Sequence, residues 1–284
     1  MNAVAQPAAV SRAAFEHAPP REVRRAIREG AWRTNTKRLA LGHHQANVTI
    51  VPERHAFDFM RFCMRNPKAL PLLDVTDPGD PAPRRAAPDA DVRTDCGEYC
   101  VMREGKVVER ITDLRPLWRP DHVAFFTGCN LSLDRAMLEA GIPLPHLVDE
   151  QAFPGQFRAS IQCVPAGVFR GPLVVSLRPI RNDLLMPVIE LTGRYALSHG
   201  APVHVGDPAA IGIDDLSKVD WGRANAIPPG HTPVFWACGI TAQAAALACG
   251  IPEMITHAPG RMFVTDLVVK IGRASCRERV SPRV

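Results

Sequence analysis

Three side chains in this sequence stand where proton transfer needs them, at the ends of short apolar segments that the chain then turns away from. His204 and Asp207 lie in Val203-His-Val-Gly-Asp-Pro208, and His257 lies in Thr256-His-Ala-Pro-Gly260. Imidazoles and a carboxylate leaving strand ends into one cleft can serve as general acid and base. The same residues also suit plain turns, because an Asp bonds its own backbone and a His can hold a loop. Two further segments could hold an anion. Gly128-Cys-Asn-Leu-Ser132 and Cys238-Gly-Ile-Thr241 each follow an apolar run and open a helical pattern. Gly128, Cys129, Asn130 and Ser132 in the first, and Cys238, Gly239 and Thr241 in the second, would then surround free N–H groups suited to a carboxylate or a developing oxyanion. The structural alternative is that glycine permits the turn and the hydroxyl caps the helix. Arg158 and Arg178 could clamp a carboxylate or act as ordinary ion-pair partners.

Eight cysteines are scattered without a Cys-x-x-Cys pair, which fits reduced thiols used in packing better than a disulfide frame or a zinc site. A helix N-terminus would lower the thiol pKa of Cys129 or Cys238. No histidine is sequence-linked to either, so both read as turn or packing residues. Adjacent His43 and His44 point to opposite faces of a strand and have no third ligand, so no metal is expected. Neither a Walker-type glycine loop nor a dinucleotide fingerprint is present, and no cofactor is called for.

The elements that must position these groups repeat along the chain. The run from Val123 to Pro143 aligns without gaps on the stretch ending at Pro252 at an offset of 109, pairing Cys129 with Cys238, Ser132 with Thr241 and Gly141 with Gly250. Upstream, Pro52 pairs with Pro179, and Gly79-Asp-Pro81 with Gly206-Asp-Pro208, at an offset of 127. The excess of 18 falls in the first half, where Glu98 to Arg110 reads as a β-hairpin turning at Glu104-Gly105. The expected fold is α/β: two diverged strand-helix repeats, over 43–152 and 170–268, forming a two-lobed, mixed, mostly parallel sheet architecture. Residues 1–20 are expected to be disordered, 21–268 to form the enzyme unit, and 269–284 to be a basic tail foreign to it.

Of the net charge of +5, the stretch from Lys270 to Val284 carries +4, leaving a near-neutral body with 6% aromatics. That balance gives neither the basic stripe nor the stacking surface nucleic-acid binding requires. No run approaches the roughly 18 apolar residues of a membrane helix, and the Ala- and Pro-rich start lacks a signal core. A cytoplasmic location follows by default, with a small carboxylate as partner and a homo-oligomer an allowed state.

Longer strings carry a family resemblance. Phe57-Asp-Phe59 with Arg65-Asn-Pro-Lys68, Pro71 to Asp80, Arg93-Thr-Asp95, Gly171 to Ser176, His199 to Ile213, Val234-Phe-Trp-Ala-Cys-Gly239, Ile255 to Gly260 and Met262 to Leu267 together resemble the D-glutamate cyclase family, whose bacterial members are called hydro-lyases. The resemblance spans roughly residues 21 to 267. It implies a two-part α/β fold and a lyase, the family reaction being conversion of D-glutamate to 5-oxo-D-proline and water. Gly42-His-His-Gln45 and Arg261 depart from the family's usual residues, and the departures bear on the substrate. A hydro-lyase acting on another hydroxy or amino acid, or a non-catalytic carboxylate-binding protein, is the alternative.

Overall fold

The computed structural model describes residues 11–143, 153–224 and 226–270. Along it run helices α1 (Arg12–Glu16) and α2 (Pro20–Arg28), strand β1 (His43–Pro52), α3 (Glu53–Arg65), β2 (Leu72–Val75), β3 (Tyr99–Arg103), β4 (Lys106–Ile111), β5 (His122–Gly128) and α4 (Asp134–Glu139). After these come β6 (Gln156–Gln162), β7 (Pro172–Arg181), α5 (Leu185–Gly193), β8 (His204–Val205), β9 (His231–Ala237), α6 (Thr241–Cys249), β10 (Met254–His257) and β11 (Phe263–Val268). The strands form two sheets. One is ordered β2-β5-β1-β10-β3-β4, with β11 also on β1, and the other is ordered β6-β7-β9-β8.

Period-two alternation decides the layering. Strand β1 sends Ala46, Val48 and Ile50 into a cluster with Phe126, Ile255 and Phe263 on one face of its sheet. Val51 points the other way, into the main core with Phe59 and Phe62 of α3, Phe125 of β5, Val175 and Leu177 of β7 and Phe235 of β9. That core fills the space between the sheets, and Phe59 meets Phe125 edge-on at 4.9 Å. The far face of the second sheet buries Val234 and Trp236 against Val188 of α5 and Met137 of α4. Burying each such side chain contributes about 1.5–3 kcal/mol.

The α/β class holds, but every ladder among the described residues is antiparallel, not mostly parallel. The helical crossovers do join strands that run in the same direction, β1 to β2 through α3 and β7 to β8 through α5. In each case a third strand lies antiparallel between them, β5 in one and β9 in the other. A crossover helix fixes the direction of the two strands it joins and says nothing about whether they are neighbours. Duplication is likewise unsupported. Offsets of 127 and 109 would map the pair Val51–Val123 onto Arg178–Thr232, whereas Arg178 pairs with Val234. The two sheets do not divide at the middle of the chain, since β10 and β11 close the sheet of the first half around β1.

The hairpin forms where expected, with Glu104 and Gly105 at φ 48° and 75° between β3 and β4. The expected disorder of the first 20 residues does not extend to α1, where Phe15 packs edge-on against Trp32 at 5.7 Å and Arg38 pairs with Glu16. The foreign-looking tail lies, from residue 271, outside the described residues. No helix among those described is long and apolar enough to cross a membrane.

Candidate active site

The site begins at a fork beside β1. Its one edge is paired continuously with β5 from Ala46 to Pro52. Its other edge is shared: β10 covers Thr49 and Ile50, β11 covers His43, Gln45 and Ala46, and Val48 pairs with neither. His257, the last residue of β10, fills the fork. Its Nδ1 lies 3.1 Å from the Val48 nitrogen and 3.4 Å from the Val48 oxygen. The amide N–H can only donate, so Nδ1 accepts and the ring proton sits on Nε2. Burial pushes the His257 pKa down to about 4, so the imidazole is neutral at ordinary pH. Gln243 of α6 fixes the same strand end, donating Nε2–H to the His257 carbonyl at 3.0 Å.

His257 lines a cavity of about 470 Å³ at the ends of β5, β9 and β10, the start of β6 and the middles of β1 and β7. Both turns singled out in the sequence reach it, one through Cys129, Asn130 and Leu131 and the other through Cys238 and Ile240. Asn47, Gln156, Ser176 and Arg223 add polar groups. Asn47 donates from Nδ2 to the Gly128 carbonyl at 2.8 Å, and Asn130 donates from Nδ2 to the Ser176 hydroxyl at 3.1 Å. The two glycines are required by close approach: a Cβ on Gly128 would lie 1.7 Å from the Leu197 carbonyl oxygen, and one on Gly239 would lie 2.1 Å from Asn47 Nδ2. Arg178 stands behind the wall, its Nη1 3.3 Å from the Ser176 hydroxyl and its guanidinium over the Trp236 ring.

The remaining sequence candidates are placed elsewhere. Ser132 and Thr241 do not cap their helices. The Ser132 hydroxyl accepts the Gln45 N–H at 2.9 Å, and that of Thr241 accepts the Val174 N–H at 3.0 Å while donating to the Cys238 carbonyl, so each pins a cavity turn to the neighbouring strand. His204 Nε2 donates to the Asp207 carbonyl at 2.7 Å, and Asp207 Oδ1 accepts the Ala209 N–H at 3.0 Å. These two form a self-contained turn outside the cavity lining. Arg158 pairs with Asp220 at 2.9 Å over Trp221. Burial raises the Cys238 thiol pKa, the opposite of the direction a helix N-terminus alone would give, so the thiol stays protonated.

Sequence reasoning missed Asn47, Gln156, Ser176 and Arg223. The first was detectable as a polar residue inside an apolar strand. It also missed His199, which is 1% exposed and held at φ 74°, a left-handed conformation uncommon outside glycine. His199 Nδ1 donates to the Lys68 carbonyl at 2.8 Å, leaving Nε2 as a buried lone pair without a partner among the described residues. Burial and the charge of Arg178 push its pKa down to about 4. His199 and His257 therefore present opposite faces, a lone pair on His199 and an N–H on His257.

A D-glutamate cyclase family model matches residues 123–266, a stretch that takes in both cavity turns, Ser176 and His257. The chain belongs to the D-glutamate cyclase family. Its similarity to bacterial relatives named "Putative hydro-lyase" is extensive. It is 50% identical to one from Rubrobacter xylanophilus over 86% of this chain and 94% of the relative. The figure is 46% for one from Dinoroseobacter shibae, over 89% and 84%, and 45% for one from Bacillus subtilis, over 87% and 96%. Membership in the D-glutamate cyclase family supports a lyase acting on a small molecule.

Proposed function

We propose that the cavity bounded by the two turns and His257 is the active site of a hydro-lyase, and that it converts D-glutamate to 5-oxo-D-proline and water. In that reaction the α-amine attacks the γ-carboxyl carbon, the C–N bond forms, and a C–O bond breaks. The ammonium gives up two protons, and the departing carboxylate oxygen takes both and leaves as one water, so charge and atoms balance. Binding the two ends of one molecule against each other supplies much of the acceleration.

The observation that carries this reading is the fixed tautomer of His257. Its Nε2–H can donate to a carboxyl oxygen as negative charge develops there, and a neutral imidazole held by Val48 needs no reorganisation to do so. Asn47 and Asn130 orient the substrate from either side, while Arg223, with Arg178 behind Ser176, provides positive charge for the α-carboxylate. His204 and Asp207 hold their own turn in this scheme and take no proton. The reading is tested by incubating the protein with D-glutamate and following the proton NMR signals of 5-oxoproline. Enzyme-dependent appearance of the ring is expected, and an unchanged D-glutamate spectrum at high enzyme concentration would refute the reaction.

A further inference from the structure

Ser176 lines the cavity, but the reaction scheme leaves its hydroxyl without a task. It stands in the middle of β7, where Val175 and Leu177 face the main core, while Ser176 and Arg178, two residues apart, share the opposite face. The residue is buried, and two groups donate to its oxygen: Asn130 Nδ2 at 3.1 Å and Arg178 Nη1 at 3.3 Å. A hydroxyl carries two lone pairs and one proton, whereas amide and guanidinium N–H groups can only donate. Both lone pairs are thereby taken, and the proton points away from both donors. No described residue accepts it. Gln156, directly opposite on β6, lines the same cavity without a side-chain hydrogen bond to Ser176.

A buried O–H is costly to leave unmade, and a charged donor on its oxygen polarises the bond and makes it a stronger donor in turn. The acceptor that suits such a group best is a carboxylate. D-Glutamate brings two. Its γ-carboxyl must surrender an oxygen as water, and a donor that held it as a full anion would stabilise the ground state against that step. Its α-carboxylate keeps its charge from substrate to product and gains from a donor fixed in advance. We propose that the Ser176 hydroxyl is the residue that recognises the α-carboxylate, donating a hydrogen bond to one of its oxygens while Asn130 and Arg178 hold the hydroxyl in place. This rests on the reading of the cavity as the dehydration site and adds to it a specificity-determining residue, one that selects an acid over its amide. Because the contact is the same in substrate and transition state, it sets KM and not kcat. Losing a hydrogen bond to a charged group weakens binding by about tenfold or more.

The test is calorimetric titration of the full chain with 5-oxo-D-proline, which keeps the α-carboxylate and no longer has a γ-carboxyl, and with its carboxamide. Both ligands are titrated into wild type, Ser176→Ala and Ser176→Cys after melting temperatures have been checked. The cysteine variant is close in size to serine but a weak donor, and it carries the test if the alanine variant is unstable. Each substitution should weaken 5-oxo-D-proline by about tenfold or more and the carboxamide by less than threefold, and on D-glutamate each should raise KM with kcat within about threefold of wild type. Unchanged affinity for 5-oxo-D-proline, an equal loss for both ligands, or a fall in kcat at constant KM would overturn the inference, while the proposed reaction stands or falls by the NMR assay. Failure of 5-oxo-D-proline to bind the wild type would overturn the inference and the carboxylate site together.

Discussion

The role of His257 depends on a single hydrogen bond, from the Val48 N–H to Nδ1. Because the ring stays neutral down to about pH 4, its donor is present across the working range. The pH profile of kcat should then lack an inflection near 6.5 from this residue, and an inflection in the wild type that disappears in His257→Gln would contradict the assignment. His204→Ala should leave kcat/KM within about threefold of wild type, since the Asp207 turn does not reach the cavity lining; a loss of a hundredfold, the size of a missing general acid or base, would return His204 to the mechanism. His257 was legible in the sequence as a strand-end histidine, but its tautomer was not, because the group that sets it lies on β1. His199 escaped notice for a similar reason: only the Lys68 carbonyl, far away in sequence, shows which nitrogen is left over.

The two cavity turns are held by hydroxyls that serve strands rather than helices. Removing one leaves a buried strand N–H without an acceptor, which costs about 1–3 kcal/mol. Ser132→Ala and Thr241→Val should therefore each lower the unfolding free energy by roughly that amount in urea titrations, and a change below about 0.5 kcal/mol would mean that the hydroxyls do not satisfy buried strand N–H groups. The sequence pattern located these turns correctly, because glycine after an apolar run marks a strand end whatever the sheet does next. It misassigned the direction of neighbouring strands, because the insertion of β5 between β1 and β2, and of β9 between β7 and β8, leaves no local signal. The Glu104-Gly105 hairpin was legible for the converse reason: its left-handed turn and its pairing are both local.

Among the described residues the fold buries four histidines, His44, His122, His199 and His257, and burial pushes the pKa of each down, to about 4 for His44, His199 and His257. In the unfolded chain each takes a proton near the ordinary value of about 6.5. The depressed native values mean that their contribution is complete above about pH 6.5 and is lost as the pH falls toward 4, where the unfolded chain binds more protons than the native one. Unfolding free energy should accordingly drop by several kcal/mol between about pH 7.5 and pH 5, and a flat profile over that range would show that these imidazoles are not held neutral. The central claim, that the cavity loses water from a carboxylate with His257 as donor, is tested most directly by comparing the rate of 5-oxo-D-proline formation from D-glutamate in wild type and His257→Gln at equal melting temperature. The account predicts a fall of about a hundredfold or more, and a variant that forms the ring as fast as the wild type would contradict it.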